Sequence, residues 1–233
     1  MKQISHNSEP SIIGVNNGVY QLEFLKKNLK KNKNYSEINH FLLGYNTDYS
    51  VEEEQAFVSN LKIEFLKGSF LKNAKKTDIV VFTPHLNGYH FVISQKFLDC
   101  LNEIGVSKDE YHIRKIEVDN VAFNYYLFFV PMIPVTEIIF PKSALFPEED
   151  ALLDNIDKRY TSFKNYQDYK KYEESHLFNR WAKITLEKKY QNRDIINLQL
   201  EPDLFFSDRL INKLKLHKIT SLVVKDSPIL CFE

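Results

Sequence analysis

Apolar positions along this chain follow two periods in turn. From residue 75 onward, "TDIVVF" and "HFVIS" are runs of β-branched and aromatic residues that predict strands, with Asn87-Gly88 between them in the pattern of a tight hairpin turn. Immediately afterwards Phe97, Leu98, Leu101 and Ile104 recur at helical spacing. Ser94 stands where an N-cap belongs, its side-chain oxygen placed to accept from a free backbone N–H. Ile93 before it and Leu98 within the helix are positioned as a hydrophobic staple, and Gly105 can end the helix in a left-handed conformation. "YHIRKIEV" and "VAFNYYLFFV" then predict two strands around Asp119-Asn120, the second apolar enough for the middle of a sheet.

The same grammar returns in "LFFSDRLINKLKLHKIT", residues 204 to 220. Ser207 takes the cap position, Phe206 and Ile211 the staple, and Leu210, Ile211 and Leu214 one helical face, followed by the strand "SLVVK". Each copy reads strand, serine, short helix, strand. Two copies fall short of the three or more that a solenoid requires. The expected fold is α+β, with mixed, largely antiparallel sheet and short helices around this duplicated module, as one compact unit or two lobes. Residues 1–74 are weakly patterned, with Gly68 placed to turn the chain; 75–145 hold the first module, and 146–233 a linking segment and the second. Within that segment "PEEDALLDNIDKRY" reads as a short helix or loop. Tyr166, Tyr169 and Tyr172 form a stripe beside His176, with Asn165 as N-cap, and such a stripe reads as packed against its own domain. "WAKITLEKKY" and "IINLQL" alternate on either side of "QNRD" and predict an antiparallel pair.

Composition narrows the partners. Of 233 residues 43% are hydrophobic, enough for a substantial core, and 31 basic residues balance 31 acidic ones, so no global field favours nucleic acid or an anionic membrane. The polar start "MKQISHNSEPS" lacks the apolar core of a secretory signal, and two distant cysteines, Cys100 and Cys231, give neither disulfide framework nor metal spacing. An intracellular, cytoplasmic protein is expected. The longest apolar run, "VAFNYYLFFVPMIPV", carries Asn124 and two prolines and is shorter than the roughly 20 residues that span a bilayer.

Signatures of chemistry are sparse. The six glycines do not cluster into a phosphate loop, and there is no GxSxG, HExxH or paired CxxC. His85, His90 and His112 lack a carboxylate or thiol at ligand spacing, so no metal or other cofactor is expected. Cys100 sits on the apolar helix face, without an identifiable basic neighbour to activate it. Glu52, Glu53 and Glu54 are adjacent carboxylates that project in different directions. The capping role accounts for Ser94 and Ser207, because a nucleophile needs an oriented base and an oxyanion site. Either serine facing a cavity beside an imidazole or carboxylate would reverse that. For RNA, Lys26, Lys27, Lys30 and Lys31 with Tyr35 form the one basic run with an aromatic to stack on.

Together, the duplicated module, "LKGSFLKNAKKTDIVVF", "NYYLFFV" and "LFFSDRLINKLKLHKITSLVV" resemble the immunity proteins of bacterial polymorphic toxin systems, in the group that carries this module near the middle and again at the C-terminus. The likeness covers residues 60–233. It implies a cytoplasmic protein that binds a cognate toxin or effector domain and blocks it without catalysis. Its matching positions, Ser94, Phe97, Leu101, Ser207, Leu210 and Leu214, are scaffold. Candidate toxin contacts are Glu148, Glu149 and Asp150, with the aromatic residues Tyr160, Phe163, Tyr166 and Tyr169. An enzyme of unrecognised type and a single-stranded RNA-binding module are the alternatives.

Overall fold

Alternation along the most apolar stretch, Tyr125–Phe129 (β8), assigns each face of a sheet its layer. Tyr125, Leu127 and Phe129 enter a core shared with Leu22, Phe24, Val80 and Val92. On the opposite face Phe128 meets Phe97 of the helix Gln95–Glu103 edge-on at 5.9 Å. As its composition predicts, β8 is central, antiparallel to both β6 (Tyr89–Ser94) and β7 (His112–Val118).

The computed structural model describes residues 1–16, 20–43, 53, 56, 58, 60, 63–153, 157–176, 178–226 and 228–233. They form an α+β protein of mixed, largely antiparallel sheet and short helices. No helix among them is long and apolar enough to cross a membrane. Two compact units emerge: a first of Met1–Ser5, Ile133–Asp208 and Val224–Glu233, and a second of His6–Met132 and Arg209–Val223. These boundaries differ from divisions at 74 and 145, because the weakly patterned N-terminal residues supply strands to both units.

In the second unit a seven-stranded sheet runs β4 (Ile79–Val80), β6, β8, β7, β3 (Lys67–Phe70), β2 (Leu22–Phe24), β5 (Phe82–Thr83). β4 pairs antiparallel with β6 as expected, but the chain does not turn straight back. Instead Phe82–Thr83 runs parallel to β2, where Phe82 packs edge-on against Phe24 at 5.2 Å. Aromatic burial outweighs the hairpin signal. Asn87-Gly88 lies in a later turn, closed by Tyr89 N–H on the Leu86 carbonyl at 3.1 Å, with Gly88 at φ 78°. Gly68 does not turn the chain; it is a strand residue opposite Phe24, and a Cβ there would meet Leu22 Cδ2 at 2.9 Å.

The first unit holds two sheets, ordered β14 (Leu222–Lys225), β1 (Lys2–His6), β13 (Leu204–Phe206), β12 (Ile195–Leu198), β9 (Met132–Ile133), and β10 (Ala144–Pro147), β11 (Asn179–Leu186), β15 (Ile229–Phe232); β14, β1 and β9 each cross a unit boundary. Their core includes Phe140, Trp181, Ile184, Leu198 and Phe205. The expected pairing of "WAKITLEKKY" with "IINLQL" does not form. β11 pairs with β10 and β15, whereas β12 pairs with β13. All four β12 side chains are buried, so this strand needs cover on both faces that a surface hairpin cannot give.

The duplication extends to hydrogen-bonded register. Ile79 and Val80 face Ile93 and Val92 in the first module; Ile195 and Ile196 face Phe206 and Phe205 in the second. On its other side β6 pairs with β8, Ile93 opposite Tyr126, and β13 pairs with β1, Phe206 opposite Lys2. The order β4-β6-β8-β7 is thus repeated as β12-β13-β1-β14, with the first strand of the chain in the place of β8. Both helices end alike: Gly105 at φ 69° and Lys218 at φ 52° take the left-handed position. Val106 N–H then reaches the Leu101 carbonyl, and Ile219 N–H that of Leu214, each at 3.0 Å.

Candidate functional site

Ser94 caps its helix as predicted, accepting from Phe97 N–H at 3.2 Å. Its hydroxyl proton goes to Asp78 Oδ1 at 2.7 Å, and its backbone N–H to the Asp78 carbonyl at 2.9 Å. Ser207 repeats the arrangement with Asp194: Oγ to Oδ1 at 2.6 Å, N–H to carbonyl at 2.8 Å. A carboxylate therefore does stand beside each serine, which the sequence reading did not anticipate. The setting, however, is structural. Asp78 also accepts from Thr220 N–H and Oγ1, both at 2.9 Å, and lies 3.4 Å from Lys96 Nζ. Burial pushes its carboxyl up, but the bonds from Thr220 and Ser94, with Lys96, outweigh that and hold it below the ordinary carboxylate range. A carboxylate so committed is a weak base, and neither serine lines any of the cavities described below.

The candidate contact residues divide between surface and core. Asp150 is buried, gripped by Arg159 through backbone N–H at 3.0 Å, Nε at 2.9 Å and Nη2 at 2.7 Å. The guanidinium hydrogen bonds keep its carboxyl below the usual range. Arg159 also pairs with Glu149, and Arg180 binds Glu148 through Nε at 3.0 Å and through Nη2. Each carboxylate of the acidic stretch thus has a guanidinium partner, three acids sharing two arginines. Phe163 and Tyr169 are core residues, packed with Phe140 and Trp181, which corrects their assignment as contacts. Tyr166 packs partly buried against the same core; only Tyr160 is exposed. Aromatic enrichment reads the same whether it fills a core or an interface, so composition did not separate them. Asn165 caps the helix Tyr166–Ser175, accepting from Asp168 N–H at 3.0 Å.

Exposed apolar side chains gather around that ion-paired segment. Leu152 is 98% exposed and Phe178 74%, with Leu153 and Tyr160 also out in solvent. Leu152 ends the 3-10 turn Glu148–Leu152, and the Phe178 carbonyl accepts from Glu148 N–H at 2.9 Å. Two cavities of the first unit open here. One of about 640 Å³ is lined by Glu149, Arg159, Tyr172, His176 and Phe178. The other, about 620 Å³, has Tyr169 and Trp181 in its wall with Glu173 and Glu201. Tyr169 donates to Glu173 at 2.7 Å and Gln3 to Glu201 at 2.6 Å. Burial raises the Glu201 carboxyl to about 7 against the lowering effect of Gln3.

In the second unit, of the residues suggested for RNA, Lys31 lines a cavity. A cavity of about 520 Å³ is lined by Lys31, Lys67, Lys115, Phe65 and Phe123, but not by Lys26, Lys27 or Lys30. Lys67 is paired with Glu117 at 2.9 Å and Asp119 at 2.7 Å, and Tyr35 packs against the core. His112 stacks on Phe129 with ring centroids 5.8 Å apart, and His85 is exposed. Among the described residues no three His, Cys, Asp or Glu side chains are grouped to hold a metal. Cys100 is fully buried, and burial pushes its thiol up. Of the three adjacent glutamates, Glu52 and Glu54 lie outside the described residues. No protein-family model, no curated protein and no solved structure matches this chain.

Proposed function

We propose that this protein is a non-catalytic immunity protein that binds a cognate toxin or effector domain in the cytoplasm and blocks it. The observation that supports this most is the exposure of Leu152, Leu153, Tyr160 and Phe178 around an acidic turn locked by Arg159 and Arg180. Large apolar side chains held out by a rigid frame are the anchors a protein interface needs, and prior ion pairing spares the partner the desolvation of bare carboxylates. The duplicated module supplies the frame, and its serines are occupied by Asp78 and Asp194. Co-expression with a toxin domain, sought first among the neighbouring genes, tests the reading. Growth is restored if it holds; arrest despite folded chain contradicts it.

One observation favours a second reading, an enzyme. Glu201 is raised to about 7 and shares its cavity with Glu173, a pairing suited to general acid–base work. An enzyme would inactivate its target below one equivalent, which an inhibitor by binding cannot do.

A further inference from the structure

The basic run "KKNLKKNK", residues 26 to 33, holds no acid. Lys26, Lys27, Lys30, Lys31 and Lys33 are all exposed, and among the described residues none of their ammonium groups has a carboxylate partner. Folding gives this run a fixed place. The buried Asn32 side chain donates to the Leu29 carbonyl at 2.9 Å and accepts from the Glu64 and Phe65 N–H groups at 2.7 and 3.1 Å. These bonds hold the lysine turn against the segment that carries Phe65. Phe65 is 45% exposed and Phe123 47%, and both line the second unit's cavity of about 520 Å³ with Lys31 and Lys115. Neither ring is locked in an aromatic cluster: among the described residues Phe65 has no ring contact, and Phe123 meets Tyr125 alone, tilted at 5.2 Å. Lys67 in the same wall is matched by Glu117 and Asp119, which leaves Glu64 as the one unmatched acid of the lining against Lys31 and Lys115. The chain is neutral overall, but at physiological salt an exposed charge acts over a Debye length of about 8 Å, so the local set decides what binds.

We propose that this cavity and the lysine turn beside it form a binding site for a single-stranded nucleic acid, its bases stacked on Phe65 and Phe123 and its phosphates held by Lys31, Lys115 and the lysines of the turn. Ammonium groups answer the phosphates, and exposed π faces answer the bases whatever the sequence. An acidic protein surface would use the lysines but has no use for two open rings in one concavity. A duplex offers the rings nothing, because its bases are already stacked on one another. The inference stands on the second unit alone and is independent of the toxin-binding reading.

Fluorescence anisotropy of labelled oligouridylate and oligothymidylate, each about eight nucleotides long, tests this on the full chain. Saturable binding is expected, and the tighter of the two strands tells whether the source is RNA or DNA. Raising salt from about 50 to 200 mM should weaken it about tenfold or more. Lys31→Glu combined with Lys115→Glu should weaken it to a similar degree, as any polyanion site requires. Phe65→Ala combined with Phe123→Ala should also cost about tenfold, which charge alone does not require. All four side chains are exposed, and circular dichroism checks that each variant keeps the parent fold. The proposal is overturned if neither strand saturates, if polyglutamate or a duplex of equal length displaces the label as well as unlabelled single strand does, or if the phenylalanine variant binds like the parent.

Discussion

Ile4 stands opposite Leu204 as Phe128 stands opposite Phe91, so the first strand of the chain completes the second module in the place that β8 fills in the first. Ile4 is fully buried. Ile4→Ala should therefore cost about 2 to 5 kcal/mol in a denaturant titration. Removing residues 1–6 should leave β13 with an unpaired edge and yield aggregated protein by size exclusion. A variant that unfolds at the same denaturant concentration as the parent would show that β1 is dispensable.

Asp78 and Ser94 give a second prediction, because one residue of the pair carries more bonds than the other. Asp78→Ala strands the donors of Ser94 and Thr220 and leaves Lys96 without its anion, for a loss of about 3 kcal/mol. Ser94→Ala removes chiefly the cap, about 1 kcal/mol. Because the Asp78 carboxyl is held below its unfolded value, its contribution is complete above that value and is lost as pH falls through the folded one. Acid unfolding of Asp78→Asn should accordingly lack that component.

Surface and core aromatics must separate by experiment. Leu152→Ala and Phe178→Ala should weaken toxin binding about tenfold or more without moving the melting temperature. Phe163→Ala should instead cost about 3 to 5 kcal/mol of stability. Calorimetry on the folded variants reads both quantities, and equal affinity for all three would move the contact surface elsewhere.

Glu201 has the opposite pH signature to Asp78. With its carboxyl raised from 4.5 to about 7, the unfolded chain ionises first as pH rises, so stability falls between these values and levels off above them. Glu201→Gln should abolish that slope and stabilise the protein by about 2 to 3 kcal/mol at pH 8. Parallel curves for parent and variant across pH 4 to 8 would contradict the burial assigned to this carboxylate.

The modules were legible because helical spacing, a capping serine and flanking apolar runs all agree locally at Ser94 and Ser207. The place of β1 was not, since "KQISH" has little pattern of its own and its partner lies some 200 residues away. Asp78 and Asp194 had a signal, an aspartate before Ile and a second β-branched residue in both "DIV" and "DII", but its meaning rests on the serine across the sheet. At the candidate site the exposed Leu152 and Phe178 stayed hidden, because an isolated apolar residue has no period to say which way it faces. Arg159 shows the same limit: only its bidentate grip reveals that Asp150 is buried.

Titrating the purified toxin's activity with this protein tests neutralisation by binding most directly. Activity should fall linearly to zero at one equivalent and return when the complex is dissociated. Inhibition completed well below one equivalent, or no inhibition by folded protein, would contradict it.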